Sequence, residues 1–148
     1  MNEYRDIRAS LLRFMTGFAT ERNSFGANLK AVNMEAYANP TEWPEGDFIG
    51  LAEFQMMVEG SFVVPAMAFV ISTRDDENLF RMDDLINRLL GELIPGRHIV
   101  IVDAVSGTPR GRMHVLDQTR VGTVEHTDSQ PARPIMVTFK SDQTLKLT

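Results

Sequence analysis

The sequence predicts an α+β fold: a mixed, mainly antiparallel β-sheet packed by two principal α-helices. Three observations predict it. Apolar residues recur at spacings of three and four from Tyr4 to Phe18 and from Leu79 to Leu93. Alternation of period two marks Phe48–Val58 and Ile135–Phe139, and clusters of Gly, Pro, Asn and Ser punctuate the chain between these runs. With 148 residues, 43% hydrophobic and 24% charged, the chain suits a single domain spanning residues 1–148.

The first helix presents Tyr4, Ile7, Leu11, Phe14, Met15 and Phe18 on one stripe, with Arg5, Arg8 and Arg13 mostly between them. Gly17 weakens its last turns, and Asn23-Ser24-Phe25-Gly26 reads as its exit. Leu29–Tyr37 reads as a strand. Ala38 to Gly46 is a loop by its two prolines and its glycine, and it carries the only tryptophan, Trp43. A tryptophan between prolines serves either as a partner-contact anchor or as a cover for the core edge.

In the strand from Phe48, the alternation places Phe48, Gly50, Ala52, Phe54, Met56 and Val58 on one face and Glu53, Gln55 and Glu59 on the other. Gly60 turns the chain into Phe62–Ile71, which is apolar on both faces and so needs cover on both. Either the two helices sandwich it or a neighbouring subunit supplies one cover. Pro65 cannot donate to a ladder and marks a bulge or an edge. The second helix is expected with Thr73 as N-cap and Asp76 at the capping-box position, with Leu79, Met82, Ile86, Leu89, Leu90 and Leu93 as its stripe and Pro95-Gly96 as its stop.

Short strands follow at Ile99–Val102, Met113–Leu116 and Arg120–Val124, and His126–Pro134 reads as loop. Ile135, Val137 and Phe139 mark the last long strand, and Leu145 and Leu147 follow a turn at Ser141-Asp142-Gln143.

The composition excludes several chemistries. Without cysteine there is no disulfide framework, thiolate metal site or cysteine nucleophile. His98, His114 and His126 have no metal-binding partner at helical or short-loop spacing. Gly107–Gly111 lacks the lysine of a phosphate loop. Asp75, Asp76, Asp83 and Asp84 offer oxygen ligands for a divalent ion, but Arg74, Arg81 and Arg88 interrupt them, and a paired, solvated helix face explains the same residues. No catalytic residue, cofactor or metal ligand is therefore assigned. The N-terminus has no leader-type apolar run and no segment has membrane-span length, so the expected setting is a cytoplasm, with no membrane contact.

Charge is uneven. Residues 31–96 hold three basic and twelve acidic side chains, a net of −9, while residues 1–30 and 97–148 each stand near +2 and the whole chain at −5. Such polarity argues against ordinary nucleic-acid binding and suits head-to-tail association of identical subunits. Uneven surface loops on an acidic protein are the plainer reading.

The amphipathic Tyr4–Phe18 helix, the passage from Val63–Ile71 through polar Ser72–Asn78 into Leu79–Leu93, and the closing Pro134–Lys140 strand resemble the tail terminator proteins of long-tailed bacteriophages. The resemblance covers nearly the whole chain, although the Val105–Arg112 loop departs from it. It implies a virion protein without enzymatic activity or cofactor. In the resemblance, a hexameric ring assembled in the host cytoplasm caps the tail tube and docks to a neck or head-completion protein, with DNA only in passage. Asp75, Asp76, Asp83 and Asp84 become candidates for the channel rim; Arg110 and Arg112, with Trp43, become candidates for partner contact. Two alternatives stand beside it. One is a neck or head-completion protein, and the other a small enzyme or ligand-binding domain whose pocket draws together His114, Asp103 or Arg112.

Overall fold

The computed structural model describes residues 3–21, 29–37, 43–126 and 130–142. The proposed helix exit at Asn23–Gly26, most of the loop from Ala38 to Glu42, and Leu145 and Leu147 lie outside the described residues. Helix α1 spans Glu3–Glu21, β1 Lys30–Asn33, β2 Phe48–Glu59, β3 Phe62–Ser72, α2 Phe80–Glu92, β4 His98–Val102, β5 Pro109–Val115, β6 Arg120–Val121, β7 Glu125–His126 and β8 Pro131–Ser141. A single 3-10 turn, Met34–Ala36, follows β1, and Asn33 caps it by accepting the Glu35 N–H.

The weight of the fold is the sheet. Among the described residues strands make up 44%, the sheet curls into a half-barrel, and only two helices accompany it. This corrects the expected layer of mainly antiparallel sheet packed by two principal helices. The strand order is β1-β2-β3-β8-β5-β4, with β6 and β7 also pairing with β8. β1 joins β2 in parallel, which makes the sheet mixed. Helix α1 touches β1 and β2 at one end of this order and β4 at the other. A sheet whose two ends meet one helix must curl around it, and α1 closes the open side.

The long strands also account for the weight. β8 runs from Pro131, so the sequence alternation at Ile135–Phe139 shows only its middle, and much of the expected His126–Pro134 loop is strand. Its partners β5, β6 and β7 follow one another along one side as a single interrupted strand. On the other side β3 pairs with β8 from Ala66 to Ser72, and the pairing stops beside Pro65, which has no N–H to give.

The face assignment of β2 needs a second correction. Pairing with β3 shifts register between Ala52 and Gln55, and Glu53 adopts a left-handed backbone at φ 52. One extra residue is consumed there, so every side chain after it changes face. Phe48 lies in a small cluster with Val32, Met34, Val70 and Ala132, whereas Phe54 joins the main core beside Ile49 and Leu51. Phe48 and Phe54 thus point to opposite faces.

The main core takes Ile7, Leu11, Met15 and Phe18 from α1, Met82, Leu85, Ile86 and Leu89 from α2, and Met67, Phe69 and Ile71 from β3. Both helices therefore cover the same face of β3, so of the two covers considered the sandwich by two helices is not formed. The opposite face carries mostly small residues, Ala66, Ala68 and Ala132, and is covered in part by Met34 and Trp43. Beside them an open groove of about 770 Å³ remains. At Gly50 a Cβ would sit 2.3 Å from the Met34 sulfur, so glycine lets the 3-10 turn lie directly on β2.

Helix α2 begins six residues later than a Thr73 cap requires. Leu79 is its N-cap with a left-handed backbone at φ 59 and no side-chain cap bond. Asp76 does the capping from farther back, accepting the N–H of Arg81 at 3.3 Å and of Met82 at 2.9 Å, while the Thr73 hydroxyl donates to it at 3.0 Å.

Candidate assembly surface

At one end of this frame apolar side chains project into water. β2 and β3 are joined by Gly60-Ser61, and Gly60 at φ 64 supplies the first position of a II′ hairpin turn. Around that turn Met57, Val58 and Phe62 are 50%, 54% and 40% exposed. β1 accompanies β2 only from Phe48 to Leu51, so among the described residues the far half of β2 has no strand on its outer side. The Tyr4 hydroxyl donates to the Phe54 carbonyl at 3.1 Å, which ties α1 to the hairpin just before it projects. Lys140 lies over the Phe62 ring at 5.2 Å.

A row of basic and imidazole groups crosses the far half of the sheet. Register aligns Lys140 of β8 with His114 of β5 and His98 of β4, and the two imidazoles meet edge to face at 5.9 Å. Arg112 stands opposite Val100, two residues along, and both are exposed. Sequence spacing alone could not find this row, because it is made by strand pairing between residues far apart in the chain.

β4 is the end strand of the sheet, and α1 covers part of its edge. The Val102 N–H donates to Ser10 Oγ at 2.9 Å and the Ala104 N–H to Asp6 Oδ1 at 2.9 Å. Toward His98 the helix and strand diverge, leaving a cleft of about 560 Å³ walled by Phe14, Gly17, Phe18, Ile99 and Val100, with Arg13 at its side.

Two ionic pins hold the frame. Arg110 reaches back to Asp6 and, at 3.4 Å, to Glu3, and both carboxylates are buried. At the other end Asp47 takes Arg81 in a two-pronged contact at 2.6 and 3.1 Å and also accepts the Arg74 N–H at 3.0 Å. The Asp47 hydrogen bond is the main cause raising the Arg81 pKa. Arg81 is thereby drawn to Asp47 and away from the helical Glu77 pairing its spacing offers.

The residues singled out in the sequence are dispersed. Asp75 and Asp84 are exposed, and Asp83, half exposed, faces Arg133 at 3.8 Å. Asp76 is turned inward as the helix cap. Burial pushes its pKa up, but the N–H groups of Met82 and Arg81, the Thr73 hydroxyl and the Arg81 charge outweigh burial and hold it below the ordinary value. Trp43 packs edge-on against Phe48 at 6.0 Å and covers the smaller cluster. Arg110 is engaged with α1, whereas the Arg112 side chain is exposed and its backbone exchanges two hydrogen bonds with Asp142.

No protein-family model matches the chain, and no curated protein matches it. Among solved structures it is similar to a chain of the virion of a native gene transfer agent particle. The identity is 19% and the TM-score 0.39, over 93% of this chain and 88% of that one.

Of the residues that suggested a ligand pocket, Arg112 and His114 lie two apart on β5 and Asp103 stands away from them. His114 lies at one end of the β4–β5 hairpin, and Asp103 lies at the other, where it accepts the Val105 and Ser106 N–H groups at 2.9 Å. Those N–H groups, Ser106 first, hold the Asp103 pKa below its ordinary value, so the carboxylate serves its turn. Among the described residues no group of three or more His, Asp or Glu is placed to hold a metal ion, and no helix is long and apolar enough to cross a membrane.

Proposed function

We propose that this chain is a structural subunit of a phage-like virion, a tail terminator without enzymatic activity, which acts by joining copies of itself and neighbouring virion proteins. The observation that carries the reading is the β2–β3 hairpin. Met57, Val58 and Phe62 are held in water by a firmly paired strand ladder, at the cost of exposing apolar surface that a free-standing protein has reason to bury. The sequence resemblance supplies the finer assignment. A hexameric ring of about 100 kDa, six chains of 16.7 kDa, caps the tail tube at the head-proximal end and meets a neck or head-completion protein. DNA passes through the ring, and the exposed Asp75, Asp83 and Asp84 line its rim, where like charge keeps DNA from adhering. Asp76, occupied in capping α2, contributes to the rim only through the local field.

The reading is tested by mass measurement in solution and particle imaging, with the chain alone and with tail tubes added. Rings with a central hole, seated on tube ends, are expected. A chain that stays monomeric and leaves tube ends bare would overturn it.

A further inference from the structure

The two ends of the sheet are both unfinished, and their chemistries are opposite. At β4, Val102 turns its N–H away from β5 toward Ser10, and the regular strand points the N–H groups of Val100 and His98 the same way. Among the described residues nothing accepts them, and they open into the cleft beside α1. Apolar Phe14, Phe18, Ile99 and Val100 wall that cleft; Glu92 in its lining is paired with Arg97 at 2.8 Å, so Arg13 and the nearby Arg112 leave it positive in balance. At the opposite end, among the described residues no strand pairs with the outer edge of β2 beyond Leu51, Tyr4 meets it only at the Phe54 carbonyl, and the hairpin from Ala52 to Phe62 carries Glu53 and Glu59 and no basic residue. An extended, apolar, acidic edge and an apolar, basic cleft with free strand N–H groups are complementary in shape, backbone and charge.

We infer that the Met57–Glu59 edge of one copy seats in the cleft between α1 and β4 of a second copy, pairing with the backbone of His98 and Val100. Met57 or Val58 enters the apolar pocket, where the missing side chain of Gly17 leaves open space. Glu59 comes within reach of Arg13. The contact is heterologous, so a growing series keeps one free edge at one end and one free cleft at the other until it closes. The inference rests on the assembly reading above and adds to it which surfaces meet.

The absence of cysteine makes the test clean. Val100→Cys and Met57→Cys alter positions 48% and 50% exposed, which the monomer fold tolerates. Each variant alone is expected to stay unlinked under mild oxidation, and an equimolar mixture is expected to form a disulfide-linked dimer containing one of each. A double variant should give a ladder of linked species. Arg13→Glu should weaken assembly, and Glu59→Arg added to it should restore it. Rings that form with no mixed link, a Val100→Cys chain that links to itself, or a charge exchange that restores nothing would each overturn the docking while leaving the ring. A chain monomeric at every concentration, with and without tail tubes, overturns both.

Discussion

Aspartates at the starts of the two helices have opposite fates. Near the start of α1, Asp6 is 1% exposed, accepts the Ala104 N–H and is met by Arg110. On α2, Asp83 reaches Arg133 only at 3.8 Å from a half-exposed position, and Asp84 faces solvent. Residue type and helix position are nearly the same. What differs is how closely a guanidinium approaches and whether a backbone N–H comes with it: Arg110 and the Ala104 N–H reach Asp6, while Arg133 stops 3.8 Å from Asp83. A buried carboxylate that has found both becomes part of the frame, and an exposed one stays available for whatever passes by.

The contrast is broken most severely at Arg110. Arg110→Met leaves Glu3 buried without its cation and Asp6 with only the exposed Arg5 at 3.7 Å, and a loss of about 3–5 kcal/mol in unfolding free energy is expected. Urea titration followed by circular dichroism measures it. A loss below about 1 kcal/mol would mean that water reaches these carboxylates and that the α1 pin is no different from the surface pairs of α2.

Asp76 stands between the extremes. Asp76→Ala removes the acceptor for the Arg81 and Met82 N–H groups and should cost about 1 kcal/mol at neutral pH. Its folded pKa is lowered from an ordinary value of 3.8, so its contribution is fully present above that value and is lost as pH falls through the lower, folded one. The gap between wild type and Asp76→Ala should therefore be wide at pH 7 and narrow as pH drops below the ordinary carboxylate range. A gap that stays constant on acidification would show that the cap works without its charge.

How much of this was legible depended on whether a signal was local. The α1 stripe was readable because Ile7, Leu11, Met15 and Phe18 need only helical spacing to share a face, and all are buried. β3 was readable as a strand requiring two covers, because Phe62–Ile71 is apolar on both faces. The change of face in β2 was hidden, since Glu53 adopts its left-handed backbone without the glycine that normally marks one. The start of α2 was misplaced because its capping-box pattern is satisfied from a distance. Asp47, brought by β2, takes Arg74 and Arg81 and holds 73–79 as a turn. The candidate surface was the least legible part. Its basic row exists only through the β4–β5–β8 register, and the exposed Met57 and Phe62 read in sequence like any half-buried strand residues.

Trp43 offers another way to sharpen the comparison. It is half-buried over Phe48, and Trp43→Ala should cost about 2 kcal/mol, below the usual range for a fully buried tryptophan because part of the ring already meets water. A larger loss, near 4 kcal/mol, would show that the small-residue face of the sheet depends on this one ring as strongly as the opposite face depends on its helices. If Trp43 instead anchors a partner, the same variant would weaken assembly more than it weakens the monomer, which sedimentation and urea titration separate.

The smallest effect on stability is expected at the exposed acids, and there it is informative. Replacing Asp75, Asp83 and Asp84 by Asn should change unfolding free energy by about 0.5 kcal/mol or less each, because none is buried and only Asp83 has a cation within 4 Å, at 3.8 Å. Ring formation should survive, since these side chains carry none of the frame. Reversing them to Lys should still permit folding, but it puts positive charge where the rim reading places like charge toward DNA, and DNA passage should slow while assembled particles look normal. Unchanged infectivity with all three reversed would remove these residues from the rim. It would also leave the acidic helix as nothing more than a solvated face, the plainer meaning of the same charges.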